Sequence, residues 1–294
     1  MGWKDVTPSD AVEAADWIPG RLNGFAKNVG SIVPKGFDAY ARIFHPASKA
    51  PNYRPGDPVR PGVDVRWSEV AAEAGRIVHP EMQFHAIAAP VPGRSHEREL
   101  WDDVPRLGVL SARQAAALVE VLPTHTTTPN ACWLCLWEGY GYFGPPTAWT
   151  TLRAEFRPIS RWSPRYWFWR LRLGLRTRLR LLTRVRLPRP PWPPPPIGSM
   201  AGRPFPERKR VTLPGRDYLL FTGSIAQAQG WEDGPNLWWP DDRAWCVASE
   251  IDFPYTYVGG SRELIEEILR HPDIEALPAT GDDGVNYDSD AVNS

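Results

Sequence analysis

The chain has 294 residues, and its 34 lysines and arginines balance 34 aspartates and glutamates, so the formal charge is zero. Its 33 prolines and 24 glycines make up about a fifth of it, below the ~25–30% at which composition alone argues against a packed core, and no apolar run reaches the ~18 residues of a membrane helix. Three cysteines, and an N-terminus without an apolar stretch, argue against a disulfide framework or a secretion signal and point to a cytoplasmic protein.

In chain order, Thr7-Pro8-Ser9 is expected to open a short helix capped by Ser9 or Asp10 and closed by Pro19-Gly20. Phe37 to Phe44 alternates and predicts a strand: Phe37, Ala39, Ala41 and Ile43 on one side, Asp38, Tyr40, Arg42 and Phe44 on the other. Residues 46–63 read as loop. Trp67 to Ala74 predicts a short helix ended by Gly75. Met82 to Ala88 is open between strand and helix. Ser111 to Leu122 predicts a helix with a Ser111/Gln114 capping box, stopped by Pro123. Cys132 to Tyr142 reads as an aromatic-rich strand.

Between Trp149 and Met200 twelve arginines face one glutamate, so that stretch carries a surplus of eleven positive charges, and the rest of the chain the matching negative one. Arg170, Arg172, Arg176, Arg178, Arg180, Arg184 and Arg186 nearly alternate with leucines, and a proline tract follows from Pro188 to Pro196. A strand would collect those arginines on one face, a helix would scatter them, and residue propensity favours the helix. The expected organisation is a single domain in two halves, 1–149 and 208–280, interrupted by a poorly ordered Arg- and Pro-rich insertion at 150–207. An acidic segment, 281–294, follows, with both a flexible and a fold-capping reading open.

After the insertion, Arg210 to Leu213 and Tyr218 to Thr222 predict a hairpin about Pro214-Gly215, and Ser224 to Gln229 a helical turn. Ala244 to Phe253 alternates, with Trp245, Val247, Ile251 and Phe253 bulky on one side and Ser249 the exception among them. It predicts a strand ended by Pro254. Gly259-Gly260 then predicts a turn, and Ser261 the cap of a helix whose Leu264, Ile265, Ile268 and Leu269 form one stripe, with Pro272 as terminator. Ile274 to Leu277 reads as a last strand. Together these elements predict an α+β fold: a mainly antiparallel sheet, a few helices packed on one face, and aromatic- and Pro-rich loops.

The candidate chemistry is sparse. Cys132-x-x-Cys135 with Cys246 and a histidine offers four zinc ligands or a redox pair, but residues three apart on a strand point to opposite sides. Buried structural cysteines are the favoured reading and no cofactor is expected, zinc standing as the alternative. Glu250 and Asp252 share one strand face and, with His79, His85 or His125 near them, would suit acid–base or metal-assisted hydrolysis. Trp238, Trp239 and Tyr255 suggest an aromatic binding surface for a protein partner. The arginines of the insertion suggest a nucleic acid or an anionic membrane surface. The first expectation for function is a non-enzymatic cytoplasmic binding or protein-interaction module; the hydrolase-like enzyme on Glu250 and Asp252 is the alternative.

Three blocks, HPEMQFHAIA at 79–88, HTTTPNACWLCLWEGYG at 125–141 and PNLWWPDDRAWCVASEIDFPYTYVGGS at 235–261, resemble signature segments of an uncharacterised family of hypothetical proteins from high-GC Gram-positive bacteria. The resemblance spans most of the chain outside the insertion and implies no activity or site residues.

Overall fold

A computed structural model describes residues 6–50, 62–89, 100–140, 208–231 and 233–293, and the account below concerns the unit formed by Met1–Trp137 and Arg208–Ser294. The Arg- and Pro-rich insertion, with its seven highlighted arginines, lies outside the described residues. The strands in chain order are β1 (Thr7–Ser9), β2 (Ala39–Phe44), β3 (Ala47–Lys49), β4 (Val63–Val65), β5 (Cys132–Trp137), β6 (Val211–Leu213), β7 (Arg216–Gly223), β8 (Leu237–Pro240), β9 (Cys246–Ala248), β10 (Tyr255–Gly260) and β11 (Ala276–Ala279). Among the described residues the α-helices are α1 (Trp67–Ala74), α2 (Phe84–Ile87), α3 (Ala112–Val121) and α4 (Arg262–Arg270).

Nine strands pair antiparallel in the order β1-β7-β5-β8-β9-β10-β2-β11, with β6 also on β7. Strands β3 and β4 form a separate ribbon. The predicted α+β architecture is therefore present, with one correction: helices cover both faces of the sheet. On one face Trp67 of α1 lies 4.8 Å from the Phe44 ring and 5.3 Å from Phe84 of α2, over a core that includes Cys135, Leu220, Leu237, Trp239, Ala248 and Tyr257. On the other face α4 seats Leu264, Ile265 and Ile268, all buried, and each such side chain contributes ~1.5–3 kcal/mol.

Local rules account for the helices. Ser261 Oγ accepts the Leu264 N–H at 3.2 Å and starts α4. Ser111 and Gln114 form the expected capping box on α3, and Gln114 Nε2 then donates to the Phe44 carbonyl at 2.6 Å, fixing that helix to β2. At α1 a distant residue does the capping: the Glu275 carboxylate accepts from the backbone N–H groups of Trp67 and Ser68 at 2.6 and 2.7 Å.

Four expectations fail. Residues 46–63, read as loop, contain β3 and the first residue of β4, which pair as the ribbon. Thr7–Ser9 is an edge strand on β7, Thr7 opposite Thr222, and the helical turn begins only at Val12. The predicted strand from Ala244 to Phe253 is just β9, because the chain turns at 250–253 and resumes as β10. Gly259-Gly260 is the end of β10 rather than a turn. A Cβ on Gly259 would lie 2.5 Å from the Phe37 ring and 2.9 Å from Tyr40, so glycine is there because two rings press on the backbone.

Of the two readings of the acidic segment, the structure takes the capping one. Tyr255 donates its hydroxyl to the Val285 carbonyl at 2.5 Å, and Gly284 N–H reaches Glu81 Oε1 at 2.6 Å. The buried Asp290 carboxylate accepts from the backbone N–H groups of Gln83, Val292 and Asn293 at 3.0, 3.2 and 2.8 Å and from Asn293 Nδ2 at 3.1 Å, and it meets His79 Nε2 at 2.8 Å.

Candidate functional site

The polar residues singled out in the sequence do not converge. Glu250 and Asp252 do approach each other, but through Arg216 at the start of β7, whose Nη2 lies 2.7 Å from a carboxylate oxygen of each. Burial raises the Glu250 carboxyl above its ordinary range despite that arginine. None of the three candidate histidines is among their partners. His79 is on Asp290, His85 is stacked on Tyr287 with centroids 3.4 Å apart, and His125 Nε2 meets Glu267 at 2.7 Å on α4. No three His, Cys, Asp or Glu side chains gather as a metal site among the described residues.

The cysteines alternate as strand geometry requires, with Cys135 and Cys246 in the core of the Phe44 face and Cys132 outside it. All three are buried thiols. Burial first, then Asp242 and Asp241, pushes the Cys132 thiol up to about 12, and burial carries Cys135 and Cys246 well above the ordinary thiol range. Native protein is therefore expected to leave Ellman's reagent unreacted for minutes, then release three equivalents of thiol on denaturation. One fast equivalent in the native state would contradict this burial.

Trp238, Trp239 and Tyr255 do not form a surface. They are 2%, 0% and 1% exposed, because β8 and β10 lie inside the sheet and both faces are covered. Trp239 packs edge-on to Trp17 at 6.0 Å, and Trp238 edge-on to Trp245 at 5.2 Å.

Trp238 nevertheless borders a walled hollow, a cleft of about 130 Å³. Larger hollows beside Cys132 and Asp241, and between β11 and α4, are open surface grooves. Ala112 and Ala115 of α3 form one wall of the cleft, Trp231 and Pro235 another, and Arg106 stands at its rim. Trp231 is fixed by its indole N–H, which donates to the Gln227 carbonyl at 2.7 Å, and by an edge-on contact with Phe221 at 5.6 Å. The segment from 106 to 110 is held by Gly108, whose N–H donates to the Phe253 carbonyl at 2.9 Å. Gly108 has φ +70°, and a Cβ there would meet Ile251 Cα at 2.8 Å, so only glycine fits.

Ser249 lines the cleft and is 4% exposed. Its hydroxyl lies 2.6 Å from Thr256 Oγ1, which lies 2.8 Å from His45 Nε2. His45 Nδ1 in turn lies 2.7 Å from the Arg106 carbonyl. The backbone of His45 is engaged as well: its N–H donates to the Pro254 carbonyl at 3.0 Å and its carbonyl accepts from Trp67 Nε1 at 2.7 Å. Burial lowers the His45 imidazole to about 4, with nearby Arg106 adding to the drop and the bond to its carbonyl opposing it. The ring is thus neutral at physiological pH.

In the sequence Ser249 stands out only as a polar exception in an apolar row. The small hydroxyl residue at a core-facing position is the available signal; Thr256 lies 7 residues from it and His45 a further 211 from Thr256, with no local pattern that joins them. No protein-family description, curated protein or solved structure matches the chain.

Proposed function

We propose that this chain is a non-catalytic binding protein of the cytoplasm, and that the cleft under α3 takes one ring-sized apolar group of a small ligand or of a partner's side chain. The carrying observation is the cleft itself: about 130 Å³, walled by fixed elements, apolar along Ala112, Ala115, Trp231, Pro235 and Trp238, with Ser249 as the buried polar side chain on its lining. A drug-sized pocket is ~300–1,000 Å³ and a closed apolar cavity of ~150 Å³ holds a benzene ring, so this cleft takes one ring inside and leaves the rest of the ligand at its mouth. Supporting a binding role, the Ser249 hydroxyl is engaged by Thr256 rather than by an imidazole, and His45 rests on a carbonyl rather than on a carboxylate that could stabilise an imidazolium. The hydrolase alternative lacks such support, since its carboxylates are engaged by Arg216 and its histidines lie with other partners.

The probe is indole. Ligand-observed NMR is expected to show saturable binding with a dissociation constant on the order of 0.1–1 mM, as the ligand efficiency of a nine-atom ring allows. Ala115→Phe, which places a ring where the ligand's would sit, is expected to abolish it without loss of cooperative unfolding. Absence of binding at about 5 mM, or binding that survives Ala115→Phe, overturns the proposal.

A further inference from the structure

With His45 neutral, the hydrogen-bond chain behind the cleft runs in one direction. The Arg106 carbonyl can only accept, so the 2.7 Å contact places the proton on His45 Nδ1. A neutral ring protonated there has no proton on Nε2, which must accept, so Thr256 spends its one hydroxyl proton on His45. Thr256 Oγ1 can then only accept from its other neighbour, and the 2.6 Å contact to Ser249 is made by the serine's proton. Ser249 lies just past β9, two residues after Val247, which sits opposite Trp238; its contact with Thr256, which alternates with Tyr255 and Tyr257 of the Phe44 face, sets its side chain on the Trp238 side of the sheet.

We infer that the Ser249 hydroxyl offers the cleft lone pairs and no proton, so that the cleft selects ring ligands carrying a hydrogen-bond donor, such as an indole or pyrrole N–H or a phenol O–H, over otherwise equal rings carrying only an acceptor. The inference rests on the binding role proposed above. The polarity is held in place by the protein: burial keeps His45 from taking the second proton that would turn Nε2 into a donor, and Thr256 is 0% exposed, out of reach of solvent that could redirect its hydroxyl.

The test compares indole with benzofuran, which has the same shape but an ether oxygen in place of the N–H. Indole is expected to bind the intact protein about tenfold more tightly, the worth of one net hydrogen bond plus the avoided clash of facing lone pairs. In Ser249→Ala the preference is expected to fall to about one, with benzofuran bound no worse than before. Benzofuran within twofold of indole in the intact protein overturns the inference and leaves the binding proposal standing; failure of both rings to bind overturns the binding proposal itself. Nitrogen NMR of the His45 ring supplies a readout that needs no ligand. A neutral ring protonated on Nδ1 is expected at pH 7, and a ring protonated on Nε2 would reverse the chain and end the inference even if Ser249→Ala proved unstable.

Discussion

Trp67→Ala is expected to lower unfolding free energy by about 3–5 kcal/mol, a large share of the ~5–15 kcal/mol that holds a domain folded. Trp67 is 0% exposed and lies between Phe44 and Phe84, joining β2 to α2. Truncation removes a ring of the largest size from a site whose neighbours are strands and a capped helix, and these cannot collapse into the space. It also removes the N–H that the buried His45 carbonyl accepts. Trp67→Phe separates the two effects: it keeps most of the packing and loses the hydrogen bond, for an expected cost of about 1–2 kcal/mol. Urea unfolding with a linear extrapolation measures both, and a loss below about 1 kcal/mol for the alanine variant would show that this face of the core is not packed as described.

The second large effect concerns Asp290 and acid. Burial alone would raise its carboxyl, but the N–H groups of Asn293 and Gln83, the Asn293 side chain and His79 lower it from 3.8 to about 2. A group whose pKa is depressed on folding adds stability above its unfolded pKa and loses it as pH falls toward the folded one. Stability of about 2 kcal/mol is therefore expected to be lost progressively between roughly pH 5 and pH 1 through this residue. Asp290→Asn keeps the shape and removes the charge, so the difference in unfolding free energy between wild type and variant should shrink by that amount over the same range. A difference that does not change with pH would mean that the C-terminal segment is not anchored by this carboxylate.

The helices and most strands were legible because their signals are local. A cap at Ser111 or Ser261, a stop at Gly75 and a stripe at Leu264, Ile265 and Ile268 each depend on a few neighbouring residues. What misled was the assumption that one side of each strand is wet. In β2 the alternation set Arg42 with the polar side, yet it is 1% exposed, its guanidinium carbon 3.7 Å from the Tyr255 ring centroid and its Nη1 donating to the Pro80 carbonyl at 2.5 Å. Its Nε and Nη2 have no partner among the described residues. Trp238 and Trp239, expected on a surface, are consecutive residues of β8 that point to opposite faces, and both are buried because both faces are covered. Whether a second layer covers a sheet is decided by segments far away in the chain, here α1, α2 and the acidic segment on one side and α3 and α4 on the other. The cleft was illegible for the same reason. It is an intersection of α3, the 106–110 loop, the chain around Trp231 and Pro235, and β8, and the Ser249–Thr256–His45 chain joins three segments that no spacing rule connects.

The ends of β5 and β6 have a topological consequence. Trp137, the last residue of β5, stands opposite Tyr218 of β7, which stands opposite Val211, the first residue of β6. The chain thus departs and returns along one row of the sheet, two ladder spacings or about 10 Å apart. A gap that small can be spanned by a few residues or by many. Closing the loop costs only about 0.6 kcal/mol more for each doubling of its length. The doorway between these two strands is accordingly a place where evolution or an engineer can lengthen, shorten or exchange the intervening polypeptide while the ladder on either side keeps its register.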